Sequence, residues 1–330
     1  MSMVDWQSWR KHVGRTIDER GRWYGLGNAD GEPLMTLPEP LGDGLAAPEQ
    51  WMEASDIEFK MPAITPSGEL HPAYQKLIGD ALDHIDASGR VSVDDAEDFT
   101  LLAAWRGHDG EIIRRGGLVV NPNAEDPDND GVPQTLTIPA LNAADVWNTV
   151  FAVSWPAAWW AATPYEKTSD ESGLEYSRAW KMARVELAGQ SMFTFKEGKA
   201  GFVIRRLAQE SLDAMMMTQA DPGGTRWVDD PFHVVEVPEV DSSPVISLEA
   251  RDGTLWDTVA AQAKNAGVIL GAKMWWPGDK PIRCWNQAAS AMTPGQVDIS
   301  PSVGESKRTL SYRSFPHAMV VLTVKEVKNA

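Results

Sequence analysis

Apolar positions at Trp6, Trp9 and Val13 recur at helical spacing and predict a short first helix. Regular periodicity then disappears. Gly21, Gly25, Gly27 and Gly31 punctuate the chain, followed by Pro33, Pro38, Pro40 and Pro48, so residues 1–55 read as an extended N-terminal arm with turns. An arm carrying this much Trp and Leu is unfavourable in water, and it must lie across its own fold or across a neighbouring subunit.

Beyond the arm the pattern becomes readable again. Residues 56–61 alternate polar and apolar side chains, as a half-buried strand does. Residues 71–85 place Tyr74, Leu77, Ile78, Leu82 and Ile85 on one helical face. Residues 99–105 and 111–121 predict strands around a turn at 107–110, and residues 134–138 predict another. Residues 142–160 start as a helix that Pro156 breaks, and residues 174–187 and 200–217 are helical candidates. In the last third, residues 245–248 read as a strand. Thr254 and Asp257 form a capping-box-like pair that opens a helix over 255–266, and Gly267 suits a left-handed end. Residues 268–276 predict a strand turned by Pro277-Gly278, and residues 317–327 form a final β-rich run. The expected division is an arm (1–55), a β-rich domain (56–140), a helical Trp-rich insertion (141–240) and a C-terminal α+β domain (241–330).

A chain of 330 residues is long for one compact core. Its net charge of −17 repels phosphate backbones and anionic membranes, which sets free nucleic acid and membrane surfaces aside as partners. The basic pairs Arg205-Arg206 and Lys307-Arg308 are short exceptions. One cysteine, Cys284, excludes an intrachain disulfide and a thiolate zinc cluster within one chain, and fits assembly in a reducing cytoplasm. Charges spread through residues 1–20 leave no apolar signal core, and the apolar run 150–162 is too short for a membrane segment. Tryptophan is the anomaly, at 15 residues against five tyrosines. A Trp-rich core, inter-subunit contacts and sugar stacking are all open readings.

Candidate chemistry is sparse. Asp126, Asp128, Asp130 and Gly131 match the first half of a calcium loop, where alternate carboxylates converge on one cation. The second half departs from it: Thr137 stands where the bidentate Glu belongs, and Pro127 sits inside. A structural Ca²⁺ site or a solvated acidic turn are the two readings, and no other cofactor is expected. Gly25, Gly27 and Gly31 lack the spacing and the preceding strand of a dinucleotide fingerprint. Gly189-Gln190-Ser191 begins like a nucleophile elbow, but Phe193 replaces its second glycine. Asp80 and His84 share a helical face without a third ligand. Cys284 has no identifiable base and reads as buried and inert. No acid–base pair can be nominated from spacing, and we expect no enzyme.

Two stretches carry a resemblance. One runs from Trp9-Arg10-Lys11-His12-Val13-Gly14-Arg15 through Arg22-Trp23-Tyr24-Gly25-Leu26-Gly27 and Leu37-Pro38-Glu39-Pro40-Leu41-Gly42 to Trp51-Met52-Glu53-Ala54-Ser55. It resembles the N-terminal region of minor tail proteins from siphophages of actinobacteria. The other, Asp252-Gly253-Thr254-Leu255-Trp256-Asp257 through Trp275-Trp276-Pro277-Gly278-Asp279, is similar to segments of tail-tip hub-like proteins of the same phages. The resemblance implies a structural protein of the virion tail tip, assembled in the host cytoplasm, either a baseplate hub or a distal tail ring. It implies a homo-oligomer about the tail axis, a trimer favoured over a hexamer, contacting tail tube, tape measure and neighbouring minor tail proteins. The fold expected is multidomain α+β, with small β-barrel or sandwich-like units, inserted helices and the extended arm. Subunit contacts are expected at Trp6, Trp9, Trp23 and Tyr24. A receptor- or carbohydrate-binding module, using Trp159-Trp160 or Trp275-Trp276, is the alternative.

Overall fold

Asp5 opens the first helix, its carboxylate accepting the Ser8 N–H at 3.1 Å in place of the missing intrahelical partner. Gly21, at φ +81°, ends it and donates to the Ile17 carbonyl. In the computed structural model, which describes residues 4–42, 44–46, 55–80, 97–152, 165–182, 194–216, 230–250, 253–286 and 309–327, this helix is α1 (Trp6–Arg20). It leads directly into strands β1 (Arg22–Asn28) and β2 (Pro33–Thr36). The chain forms two compact units, one of Met1–Asp145, Ala272–Lys280 and Ser314–Val321, the other of Val146–Gly271, Pro281–Arg313 and Leu322–Ala330.

The first unit is built on an eight-stranded antiparallel sheet. After β1 and β2 come β3 (Leu45–Ala46), β4 (Ile57–Pro62), a short helix α2 (Pro72–Tyr74) continued by a π-helical turn (Gln75–Gly79), β5 (Phe99–Arg106), β6 (Ile112–Val119), β7 (Asn123–Glu125) and β8 (Thr135–Asn142). The strand order is β2-β1-β5-β6-β8-β4-β3, with β7 also on β8. Register assigns the side chains to two faces. Tyr24, Leu26, Leu101, Ala103, Phe59, Met61, Leu136 and Ile138 share one core with Leu77 and Ala73 from the helical turn. Trp23, Leu102 and Ala104 face the other way, where Val13 and Ile17 of α1 cover them together with Met274, Trp276 and Ala318.

The extended arm is therefore corrected: the described part of residues 1–55 is a helix and paired strands inside this unit. The glycines misled the reading because they serve packing rather than turning. A Cβ on Gly25 would meet the Trp23 indole at 2.3 Å, and one on Gly27 would meet the Glu32 carbonyl oxygen at 2.8 Å. Gly31, at φ +80°, does turn the chain.

The α+β class expected is present, and of its barrel or sandwich-like units the first unit holds a rolled sheet. The sheet rolls until the Tyr24 ring on β1 lies 5.2 Å from Phe59 on β4, with β5, β6 and β8 between them in the strand order. The chain between β2 and β3 bridges the two margins, Leu37 donating to the Tyr24 carbonyl and Leu41 to that of Lys60. No ladder joins β2 to β3 among the described residues, so the roll is not a closed barrel.

The second unit begins with a 3-10 turn's successor, α3 (Val146–Thr149), and continues with β9 (Tyr165–Ser169), β10 (Glu175–Met182), β11 (Thr194–Lys199), α4 (Ala200–Met216), β12 (His233–Val235), β13 (Val245–Ala250) and α5 (Leu255–Asn265). Strands β14 (Val268–Trp275), β15 (Ile282–Trp285), β16 (Leu310–Arg313) and β17 (Met319–Glu326) complete the chain, the division between units falling inside β14 and β17. The pairings are β9 with β10, β11 with β13, β15 with β16, and β12-β17-β14.

Residues 174–187 were expected as a helix, and their described part is strand β10 instead. Asp170 accepts backbone N–H bonds from Ser172 and Leu174, and Gly173 takes φ +84°, so a tight turn folds the segment back onto β9. The strand pairs antiparallel with β9, its register shifting between Glu175 and Trp180. Of the expected helix 142–160, one turn is present, and residues 153–164 lie outside the described residues, as do 81–85 of the helix predicted over 71–85.

The capped helix is present as read. Thr254 Oγ1 accepts the Asp257 N–H at 3.0 Å, and Gly267 takes φ +67° beyond the last turn. Thr254→Ala should lower stability by about 1 kcal/mol in a denaturant melt of the full chain, since that N–H loses its acceptor. A Thr254→Ser variant should keep most of it.

Helix α4 matches the expected span, but its burial does not follow amphipathic logic. Arg205, Arg206, Gln209, Glu210 and Asp213 are buried together with Val203, Leu207 and Leu212. They are paired: Arg205 donates to Asp241 at 2.9 Å and to the Val324 carbonyl, and Arg206 to Glu210 at 2.8 Å. Burial raises the Asp241 carboxyl, but bonds from Ser243 and the Arg205 charge outweigh it, leaving a net shift below the usual carboxylate range.

His233, at the start of β12, is half-buried and its buried Nδ1 has no hydrogen-bond partner. Desolvation pushes its pKa down to about 4. The folded chain thus binds its proton later than the unfolded chain, whose histidine titrates near about 6.5. Stability should be fully present above that value and fall as pH drops through the window toward 4. Comparing denaturant midpoints of wild type and His233→Gln between these limits checks it: the slope should be shallower in the variant.

Candidate functional site

The first unit gathers its most distinctive chemistry on the α1 side of the sheet. Trp276 follows the end of β14 and is fully buried. Trp6 of α1 lies 5.7 Å from it between ring centroids, and Trp23 of β1 meets it edge-on at 5.8 Å. Trp9 in turn meets Trp23 at 6.3 Å. Such tilted and edge-to-face contacts add to the area each ring buries. Trp23 satisfies its indole N–H on Thr36 Oγ1 at 3.0 Å, and His12 Nε2 shares that hydroxyl at 2.8 Å.

A buried charge threads through these rings. Arg114, on the face of β6 that meets α1, is only 4% exposed. Its guanidinium sits 4.4 Å from the Trp276 ring centroid and donates to Asp279. Asp279 also accepts the Trp276 backbone N–H at 2.9 Å and pairs with Arg10 of α1 at 3.4 Å. The turn that places it depends on Gly278, at φ +89°, where a Cβ would meet Arg10 Nη1 at 2.5 Å. Desolvation lowers the Arg114 pKa from its ordinary value, and the Asp279 charge and hydrogen bond restore part of it. The arrangement holds a cation by stacking and one carboxylate, and binds four chain segments to one another.

This places the four residues expected at subunit contacts. Trp23 and Tyr24 are buried within their own chain, at 1% and 4% exposure, on opposite faces of the sheet. Side chains so enclosed have no surface left for a neighbour, and their assignment as contact residues is corrected. Trp6 and Trp9 pack partly buried against the same core. Trp275 and Trp276 are likewise buried, Trp275 donating to the Lys280 carbonyl at 2.9 Å, so neither can stack on a sugar. Trp159, Trp160, Ser191 and His84 lie outside the described residues.

The acidic loop does not converge. Asp126 accepts the Gly131 N–H at 2.8 Å, Asp130 accepts that of Val132 at 2.9 Å, and Asp128 accepts from the Gln134 amide. The carboxylates hold the turn together, with Asn129 at φ +54°. Among the described residues no group of three or more His, Cys, Asp or Glu is arranged to hold a metal ion. Cys284 is buried in β15, and desolvation pushes its thiol up to about 11, which keeps it protonated and unreactive. No helix of the described residues is long and apolar enough to cross a membrane.

Comparison with protein-family models and with curated proteins gives no match. Sequence reasoning missed Arg114 and Asp279 as partners. An arginine in an alternating strand reads as solvent-facing, and only the two-faced burial of the sheet reverses that.

Proposed function

We propose that this protein is a structural minor tail protein of a siphophage tail tip. In this reading it is a hub-like component that oligomerises about the tail axis and joins the tail tube to the host-facing tip. Its action is mechanical rather than catalytic. The observation that carries the reading is the meeting of the two resembling stretches. Trp9, Arg10 and Trp23 from the first pack or pair with Trp276 and Asp279, or with one another, in a single cluster. Two sequence likenesses far apart in the chain thus belong to one packed element. With Trp23 and Tyr24 committed to the interior, the contacts that build a trimer or hexamer must use other surfaces. A distal tail ring remains the finer alternative within the same class.

Antibodies raised against the purified chain should decorate the distal end of siphophage tails in electron micrographs, and native mass spectrometry should give a multiple of three chains. Absence of label from intact virions, or clearing of purified cell walls by the protein, would overturn the proposal.

A further inference from the structure

The inner face of the rolled sheet is not completely filled. A cavity of about 400 Å³ lies at the end of the roll where β1 and β6 flank β5. That volume falls in the range of roughly 300–1,000 Å³ typical of small-molecule sites. Its wall is apolar, formed by Tyr24, Leu45, Ile57, Phe59, Leu101 and Ala103. Its mouth is basic. Arg22 pairs with Trp105 across β1 and β5, and Arg115 with Ala103 across β5 and β6, so the register puts Arg22, Trp105 and Arg115 on this same inner face. The Arg115 guanidinium lies 5.4 Å from the Trp105 ring centroid. Arg106, also in the lining, donates to Asp18 and to the Gly110 carbonyl. Guanidinium groups gathered at one opening are notable in a chain of net charge −17.

We infer that this cavity binds one molecule of a single-chain anionic amphiphile, a long-chain carboxylate, with its alkyl chain inside the roll and its head group between Arg22 and Arg115. The inference goes beyond the structural role proposed above and does not depend on it. The apolar wall gains by removing an alkyl chain from water. The fork of a guanidinium matches a carboxylate in a way a neutral head group cannot. A peptide fits less well. Its amides would enter a wall with almost no hydrogen-bonding partner. At this opening only β5 is paired on both sides, by β1 and by β6, so a peptide is set aside by the apolar wall alone. The volume is small for two acyl chains, which sets diacyl lipids aside.

Isothermal titration of the full chain with decanoate, below its micelle concentration, tests this. Binding should saturate at one decanoate per chain, with decanol at least about tenfold weaker because it lacks the charge-assisted bonds. The double variant Arg22→Gln/Arg115→Gln should erase that preference without changing the melting temperature by more than a few degrees. Ala103→Phe should fill the cavity and abolish binding of both; if it fails to fold, the arginine variant alone decides. Absence of saturable decanoate binding, equal affinity for decanol, or an acidic apolar peptide binding more tightly than decanoate would each overturn the inference.

Discussion

Asp279→Ala should destabilise the first unit by about 3–5 kcal/mol, the loss expected when a buried ion pair is broken from one side. Arg114 is almost fully enclosed and would keep its charge with only the Trp276 ring to face. The Trp276 backbone N–H would lose its acceptor too, and Arg10 its ion-pair partner. Desolvation is the largest influence on Arg114, ahead of its attraction to Asp279. Because burying both charges costs much of what their attraction returns, the larger loss comes from stranding the cation. Hence Arg114→Met combined with Asp279→Ala should be less destabilising than Asp279→Ala alone, the opposite of additive losses. Urea denaturation of the four corners of that cycle measures it. Equal or greater loss in the double variant would show that the charge is not what the pocket is built around.

Trp23→Ala should cost about 3–5 kcal/mol, as truncating a fully buried Trp leaves a large cavity. The Thr36 hydroxyl would lose the indole donor, and Trp9 and Trp276 would lose their shared neighbour. The measurement that matters is dependence on protein concentration. A core residue gives the same loss in midpoint at every concentration, because folding of the subunit itself is damaged. A subunit-contact residue gives a loss that shrinks as concentration rises. The burial of Trp23 predicts the first behaviour. Removing residues 1–27 should likewise unfold the first unit, since it deletes α1 and nearly all of β1.

Much of the local structure was legible because its causes are local. Thr254 and Gly267 bracket α5, and each acts through atoms within a few residues. The strands over 57–62, 99–106, 112–119, 245–250 and 319–326 announce themselves by β-rich or alternating side chains. The α+β character followed from these elements. What the hydrophobic pattern could not tell was which surfaces would be covered. Gly25 and Gly27 looked like turn residues because nothing nearby in sequence revealed that an indole and a carbonyl would press against them. Residues 174–187 read as helical, but the Asp170 turn pairs their described part, β10, with β9. Nothing in the sequence marked Arg114 and Arg205 for burial, because charge is costly to bury without a partner, and their partners Asp279 and Asp241 lie far away in the chain. By itself, then, the sequence determined the bracketing of α5 and most strands. Only the tertiary structure decided that the Trp-rich N-terminus is core rather than arm, because burial of a two-faced sheet is a property of everything that packs on it.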